Sequence, residues 1–359
     1  MLLFTGALTA AESHVPAPYT QATDGKGGER LLQTAVRKFE KEGAATIYLS
    51  GVAHIGTENY FTNLQAHLAE MSLVLYEGVG DVPNKGNKKK RIGSVQSTMA
   101  ESLGLRFQLD TIDYDRSNFL NSDMTIDQIS HLMSGGSEED MPKREIPKLR
   151  IQSTEEETAE SVVADDPEPK KLRVPSASED TNPEFDRLMQ VMDGSTAMGA
   201  MVDAMVRFIG SSPKMRALTR LMFVELLGGL QGDLSQSPAM TPEMKEMISV
   251  LIRSRNQLVL QDLRKALKDP DNKTISVFYG AGHMDDLEKR LVEEMGYEAG
   301  ETEWFTSFSV NPKKEKINRA EKAILQYIIN IQLQMLSPQT PKKGDGEMTN
   351  HPETQTPKE

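Results

Sequence analysis

Two stretches of the 359-residue chain decide its fold: TIYLSGVAH, residues 46–54, and TISVFYGAGH, residues 274–283. Each is an apolar, partly β-branched run that ends in a Gly-x-x-His turn and is followed by a sequence with helical spacing. Such a run predicts a buried strand, and its glycine lets the backbone turn tightly before the histidine. We therefore expect His54 and His283 at the carboxyl ends of two strands, where open α/β sheets place their ligands.

A third buried run lies close to the first motif. It covers Leu73–Tyr76, follows a segment of helical periodicity and ends on Glu77. Strand, helix and strand within about 30 residues are typical of a βαβ unit, whose strands are parallel. Glu77 is then expected at the same rim as the two histidines. The predicted class is α/β, with a central mixed, largely parallel sheet that contains two strand–GxxH–helix units.

Composition and periodicity divide the chain into six segments. Residues 134–185 are dominated by Glu, Asp, Lys, Ser and Pro, and they cannot bury enough apolar surface to offset the entropy lost on ordering. The predicted segments are a signal-like run and linker (1–28), a first α/β half (29–133), a disordered acidic insertion (134–185), a helical region (186–268), a second α/β half with a C-terminal helix (269–336) and a disordered tail (337–359).

Local patterns give further expectations for individual elements. Apolar residues at helical spacing predict a helix over residues 29–41, and an apolar run predicts a third strand over Phe107 to Ile112. Two late strands are expected over 297–301 and 304–310. Residues 12–27, rich in Pro, Thr, Gly and Gln, are expected to be a linker.

Capping and packing signals accompany the predicted helices. Thr57 is expected to cap one helix, and Thr125 with Gln128 has the spacing of a capping box for another. Apolar stripes at helical spacing are expected to pack in the core of the helical region rather than to form a soft-metal or adaptable binding surface. Their members include Met201, Met205, Phe208, Leu221 and Leu263.

Charge and cysteine content exclude several classes of function. A net charge of −12 argues against a nucleic-acid-binding face, and the absence of cysteine excludes disulfides, thiolate metal sites and a cysteine nucleophile. No run approaches the roughly 20 apolar residues of a membrane helix. The N-terminal residues 1–13 are apolar and then small but lack a basic start, so export to the periplasm or medium and a cytoplasmic location both stay open.

Two histidines and a glutamate at one rim suggest two kinds of chemistry. His54, Glu77 and His283 match a recurrent set of ligands for a catalytic divalent metal such as zinc, manganese or cobalt, with a position open for water. The rival is metal-free, with His54 as general base and Glu77 orienting it. Arg255 is a candidate for neutralising a carboxylate or an oxyanion, or is a surface residue. A single histidine after a strand is better explained by helix capping or core packing, whereas two matched motifs together with Glu77 favour a functional site.

Three polar residues near the predicted third strand are weaker candidates. Asp113, Tyr114 and Asp123 can reach the same rim, and they also suit turn and cap positions.

Several short motifs, in order, resemble one known family. They are Gly51 to His54, Leu73 to Glu77, Asn121 to Met124, the pair Arg255-Asn256, and Gly280 to His283 followed by Gly296-Tyr297. In this order they resemble the TraB/PrgY (GumN-type) proteins, which are related to the Tiki proteases and to the erythromycin esterase and ChaN-like proteins. The resemblance covers roughly residues 30 to 130 and 240 to 310.

The resemblance implies an α/β core with both GxxH motifs at one end of the sheet. It also implies a hydrolase, often a metal-dependent peptidase, although relatives include an esterase with histidine-activated water and haem-binding proteins. The expected partner is then a peptide or small ester substrate. One departure is that Gly-Val-Ala-His replaces the commoner Gly-Thr-x-His, so a hydroxyl near the site is missing unless Ser50 or Thr57 supplies it.

Two other classes of function stay open. A protein of the same fold without catalysis would sequester a peptide, haem or a metal, and turnover that is lost in His54→Ala distinguishes it from the hydrolase. A scaffold would recruit partners through its acidic insertion and tail, so deleting residues 134–185 would abolish its function while His54→Ala would not.

Overall fold

The computed structural model describes residues 14–78, 94–140, 197–230 and 240–336. The signal-like run at 1–13, most of the predicted acidic insertion and the predicted tail lie outside the described residues.

The described chain begins with four strands, continues with strands and helices in alternation, is helical from Ala197 to Ile248, and ends with helices alternating with two further strands. In chain order the elements are β1 (Thr20–Asp24), β2 (Arg30–Glu40), β3 (Thr46–Val52), β4 (Ile55–Gly56), α1 (Glu58–Ala69), β5 (Leu73–Tyr76), α2 (Ser94–Ser102), β6 (Arg106–Phe107), α3 (Gln108–Thr111), β7 (Phe119–Asn121), α4 (Ile126–Met133), α5 (Ala197–Ser211), α6 (Pro213–Gly229), α7 (Pro242–Ile248), α8 (Arg255–Ala266), β8 (Thr274–Gly280), α9 (Met284–Glu293), β9 (Glu298–Val310) and α10 (Arg319–Leu336).

One mixed sheet forms the centre of the molecule. Its strands follow the order β1-β2-β3-β8-β5-β7, and β9 pairs along β2. Strands β3, β8, β5 and β7 are parallel, whereas β1, β2 and β9 join the sheet through antiparallel pairs. The late strand β8 therefore lies between β3 and β5, which brings the two GxxH motifs onto adjacent strands. The predicted α/β class, with parallel strands at the centre, is confirmed.

Helices cover both faces of the parallel strands. Alternate side chains of a strand point to opposite faces. On β8, Val277 belongs to the same core cluster as Leu263 of α8, and Phe278 to the same cluster as Leu64 of α1. These side chains are fully buried, and each contributes about 1.5–3 kcal/mol through removal from water. The layers of helix, sheet and helix leave the ends of the strands as the accessible edges.

The prediction of a helix over residues 29–41 is wrong, because this segment is strand β2. It pairs with β3 along one edge and with β9 along the other. Thr34, Ala35, Val36 and Arg37 are consecutive buried residues, since both faces of the strand are covered. A strand buried on both faces loses the alternation that identifies strands in sequence.

Three further predictions for elements need correction. The predicted strand at Phe107 to Ile112 is the two-residue β6 followed by the helical turn α3, and the third central strand is β7 instead. The two expected late strands are one strand, β9, whose pairing with β2 contains register shifts. The predicted linker at 12–27 contains strand β1.

The helix caps are confirmed, and the expected burial of the apolar stripes is confirmed for Leu221 and Leu263 but not for the stripe on α5. Thr57 caps α1, and Thr125 with Gln128 forms a capping box on α4. In contrast, Met201, Met205 and Phe208 of α5 are exposed rather than buried, at 66%, 57% and 71%. Their face of α5 has no covering element among the described residues, so the periodicity correctly indicated a helix but not a buried face. None of the helices in the described ranges combines the length and apolarity that crossing a membrane requires.

Candidate functional site

The central parallel strands end within two residues of one another at one edge of the sheet, with β3 and β8 extending beyond β5 and β7. The last residue of β3, Val52, pairs with the last residue of β8, Gly280, and the ends of β5 and β7 pair as Tyr76 with Asn121. Polar side chains follow these strand ends within three residues, and they are His54, His283, Glu77 and Asp123. The structure thus brings the predicted His54, Glu77 and His283 to one rim.

Arg255 holds two carboxylates together beneath this rim. Its Nη2 donates to Oε1 of Glu77 at 2.7 Å and to Oδ2 of Asp123 at 2.6 Å, while its Nε donates to Oδ1 of Asp123 at 2.8 Å. The fork to Asp123 is the bidentate geometry that a planar guanidinium favours. All three residues are largely buried, and one net negative charge remains in the group.

The remaining guanidinium hydrogens also have partners inside the protein. Nη1 of Arg255 donates to the carbonyl oxygen of Leu251 at 3.2 Å and lies 3.4 Å from Nε2 of His283. With the three bonds to carboxylates, these contacts engage all five N–H donors of the side chain. Arg255 therefore positions Glu77 and Asp123, and in this arrangement it has no donor left for the anionic substrate group that the sequence suggested.

The helix that carries Arg255 is irregular at this point. A π-helix over Ser249–Ser254 leads directly into α8, which begins at Arg255. A π turn re-aims the side chains that come after it, and such turns are frequent at functional sites.

The guanidinium and the surrounding groups keep Glu77 ionised. Burial alone would raise the pKa of Glu77, but Arg255, followed by His283, His54 and the amide of Gly280, holds it well below its usual range. Burial likewise opposes the charge on Arg255, yet Glu77 and Asp123 raise its pKa above the ordinary value. The pair is therefore a fixed ion pair, with the negative charge of Glu77 retained at neutral pH.

His283 is the inner of the two histidines. Its side chain is buried, and its Nδ1 lies 2.7 Å from Oδ1 of Asn256. The Nδ2 of Asn256 donates to the carbonyl oxygen of His283 and to Asp286, which fixes the amide so that its oxygen faces the ring. Nδ1 of His283 thus carries the proton and Nε2 is bare. Burial lowers the pKa of His283 to about 4, with Glu77 opposing and Arg255 adding to the shift.

His54 is the outer histidine and is exposed. Its Nδ1 lies 2.8 Å from Oε1 of Gln108, and the backbone amide of Gln108 donates to the carbonyl oxygen of His54 at 2.8 Å. The other end of the Gln108 amide donates to the hydroxyl of Tyr114 at 2.7 Å. In this orientation Gln108 accepts the Nδ1 proton, so Nε2 of His54 keeps its lone pair.

Gly280 separates His54 from Glu77. A Cβ atom at position 280 would lie 3.1 Å from Nε2 of His54 and 3.2 Å from Oε2 of Glu77, so only a glycine lets both groups approach this point without displacement. The amide of Gly280 also donates to Oε2 of Glu77 at 2.6 Å. Nε2 of His54 and the negative charge of Glu77 therefore lie on either side of the same point beside Gly280.

The donor set fits a divalent metal poorly. Among the described residues, no group of three or more His, Asp and Glu side chains is arranged to hold a metal ion. Both oxygens of Glu77 already accept hydrogen bonds from Arg255 and Gly280, and the guanidinium lies beside the bare nitrogen of His283. A divalent ion held by Glu77 and His283 would meet this buried positive charge at close range. The arrangement of these side chains therefore does not suit the expected zinc, manganese or cobalt centre.

Some residues of the site were candidates from the sequence, and others were not predicted. Asp123 lies in the network, and Tyr114 reaches the site through Gln108, whereas Asp113 is exposed and accepts from the amide of Asp115 in a turn. Gln108 was missed because its segment was expected to be a strand. Asn256 entered only as part of a family motif, without a role.

Comparison of the chain with protein-family models, with curated proteins and with solved structures gave no match. The resemblance to TraB/PrgY proteins consequently stays a prediction. The function of the chain has to be inferred from the geometry of the site.

Proposed function

We propose that this chain is a hydrolase of peptide or ester bonds in which His54 activates water without a metal. One observation carries the proposal: an exposed imidazole has its Nδ1 held by Gln108, and its Nε2 and the fixed carboxylate of Glu77 lie on either side of the same point beside Gly280. A base that is oriented through one nitrogen and free at the other is the arrangement general-base catalysis needs.

Each residue of the site takes a role that its contacts permit. Nε2 of His54 removes a proton from water as the water oxygen bonds to the carbonyl carbon, and the negative charge of Glu77 stabilises the imidazolium that forms. The imidazolium then returns the proton to the leaving nitrogen or oxygen as the scissile bond breaks. Arg255 and the Gly280 amide hold Glu77 in place, and Gln108 holds His54. His283 is buried and neutral, and its Nε2 accepts from Nη1 of Arg255 on the inner side of the site, which helps to hold the guanidinium in place.

The resemblance of the motifs supports hydrolysis as the reaction class more than it supports a divalent metal at the site. The erythromycin esterase-like proteins of the resemblance, with water activated by histidine, agree with this arrangement. A metal-dependent peptidase would need a cation between Glu77 and His283, where the guanidinium of Arg255 already lies. The contacts at the rim leave the substrate class open between peptide and ester.

Turnover by the purified full-length protein tests the proposal. Peptide and ester substrates are screened in the presence of chelator, with His54→Ala beside His131→Ala, which changes an exposed histidine on α4. We expect turnover that falls by about 10²–10⁴-fold in His54→Ala and is unchanged in His131→Ala. Turnover that survives His54→Ala overturns the proposal, and ligand binding without any turnover assigns the chain to the binding-protein class instead.

A further inference from the structure

A groove outside the candidate site runs along helix α1. It has a volume of about 700 Å³ and lies between α1 and strand β9. Along its α1 wall, lining residues recur three or four positions apart, so they share one face of the helix. The groove therefore follows α1 from its N-cap to its C-terminal end. The residues of this wall include Thr57, Tyr60, Asn63, His67 and Glu70.

The other wall of the groove is a strand at the edge of the sheet. In the described part of the chain β9 pairs only with β2, so its outer edge faces the groove. Near its end this edge is covered, because the carbonyl oxygen of Ser307 accepts from the amide of Thr57 at 2.8 Å. Upstream, from Glu298 to about Phe305, no backbone hydrogen bond to the outer edge is formed by the described residues. An open edge of this kind is a template for pairing with an added strand.

The groove also has an electrostatic preference. Glu70 at the end of α1 and Glu303 on β9 are both exposed and line it. Between them lies His67, whose Nε2 is buried without a hydrogen-bond partner, and burial lowers its pKa while Glu303 and Glu70 oppose the shift. A neutral imidazole flanked by two carboxylates leaves the wall negatively charged, so a positively charged side chain is the complementary group.

The start of the groove is close to the proposed base. Thr57 lines it and follows His54 by only three residues, through the short strand β4. Three residues of chain span at most about 11 Å. A segment that lies along β9 toward Thr57 is therefore directed to the rim where His54 is exposed.

We propose that the groove between α1 and the open edge of β9 binds an extended peptide segment with a basic side chain and presents it to His54. The backbone of the segment pairs with β9, and its basic side chain lies between Glu70 and Glu303. The claim that the peptide is presented to His54 rests on the proposed hydrolysis. The claim that the groove binds the peptide does not depend on it. The substrate class of the site is then a peptide rather than a small ester.

Binding is measured on the full-length His54→Ala protein by fluorescence anisotropy, so that cleavage cannot interfere. The probe is a fluorescein-labelled octapeptide of alternating valine and lysine. Two control peptides are measured beside it. The first has glutamate in place of each lysine, and the second has the valine–lysine sequence with alternate backbone amides N-methylated. We expect the lysine probe to bind at least about tenfold more tightly than either control peptide, since the two changes remove the charge match and the strand pairing.

Paired variants of the protein separate the groove from general charge. Glu70→Gln/Glu303→Gln changes two carboxylates of the groove, and Glu42→Gln/Glu246→Gln changes two exposed carboxylates elsewhere. We expect the first pair to weaken binding of the lysine probe by about tenfold and the second to leave it within twofold. Equal binding of the three probes, or equal loss in both paired variants, overturns the inference.

The two proposals fail differently. If the lysine probe binds as expected but the wild-type protein turns over neither peptides nor esters, the groove stands and the proposed hydrolysis fails. If esters are turned over by His54 but the probe does not bind, the hydrolysis stands and the groove inference fails.

Discussion

The amide of Gly280 donates a hydrogen bond to Oε2 of Glu77 at 2.6 Å, so the second GxxH motif fixes the carboxylate that ends the neighbouring strand. Glu77 cannot turn toward solvent without breaking this bond and the one to Arg255. The negative charge beside His54 is therefore preorganised before any substrate arrives, which is the condition under which a fixed charge contributes most to a reaction.

Gly280→Ala is expected to lower kcat by at least about 10²-fold in a folded protein. The backbone at 280 (φ −50°, ψ 138°) suits any residue, so the added methyl group acts through space. It would lie 3.1 Å from Nε2 of His54 and 3.2 Å from Oε2 of Glu77, and would displace one of them. Steady-state kinetics and thermal unfolding of the same preparation measure the two effects.

Gly282→Ala is the matched control within the same motif. A Cβ atom at 282 meets nothing within 4 Å, so kcat is expected to stay within about twofold of wild type. Equal loss in both variants would mean that the motif is sensitive as a whole and that the space at Gly280 has no special role.

The GxxH strands could be predicted because their signals are local. An apolar β-branched run that ends in glycine specifies a buried strand and a tight turn whatever its neighbours are. Strand β2 was mistaken for a helix because its two faces are covered by distant segments, such as Leu221 of α6 over Leu32. No window of sequence around residues 29–41 contains that information.

The different environments of the two histidines also could not be predicted from the sequence. His54 and His283 stand in nearly identical motifs, yet one is exposed and the other is buried against Arg255. The difference arises from long-range partners. Gln108 reaches His54 from 54 residues away and Asn256 reaches His283 from 27, and neither residue has a local signature of such a contact.

Arg255→Met is expected to destabilise the protein by about 3–5 kcal/mol. The change leaves Glu77 and Asp123 buried without their cation, and removing one member of a buried ion group costs more than the whole group contributes. Urea unfolding measures the free energy of unfolding. Arg253→Met, two residues earlier and exposed, is expected to change it by less than about 0.5 kcal/mol.

A triple variant checks the cause of that loss. Adding Glu77→Gln and Asp123→Asn to Arg255→Met removes the unpaired charges, so part of the stability should return. If the triple variant is no more stable than Arg255→Met alone, packing rather than charge explains the loss.

Gln108→Met is expected to lower kcat by about 10- to 100-fold with little change in KM. It keeps the length of the side chain but removes the oxygen that accepts from Nδ1 of His54, so the base is present but no longer oriented. Gln108→Glu keeps an acceptor oxygen and is expected to recover most of the activity. Equal kinetics for the methionine and glutamate variants would show that the hydrogen bond does not position His54.

Metal removal is expected to leave turnover within about twofold of the untreated protein. The guanidinium of Arg255 contacts both Glu77 and Nε2 of His283, so an ion held by these two residues would lie beside a buried positive charge. Dialysis against a chelator, elemental analysis and an assay with added zinc, manganese or cobalt measure this. Activity that disappears on dialysis and returns with one of these metals would instead support a two-histidine, one-glutamate metal centre.

His283 should make the protein less stable as the pH falls from 7 to 5. Its pKa is about 4 in the folded protein, mainly because of burial, and about 6.5 when unfolded. Between these values the unfolded chain binds a proton that the folded chain does not, so acid favours unfolding; below pH 4 both forms are protonated and the effect levels off. The expected loss is about 2 kcal/mol between pH 7 and pH 5, measured by urea unfolding. His283→Gln lacks this group and should lose about 2 kcal/mol less over the same range; parallel pH profiles for the two proteins would contradict the buried neutral state of His283.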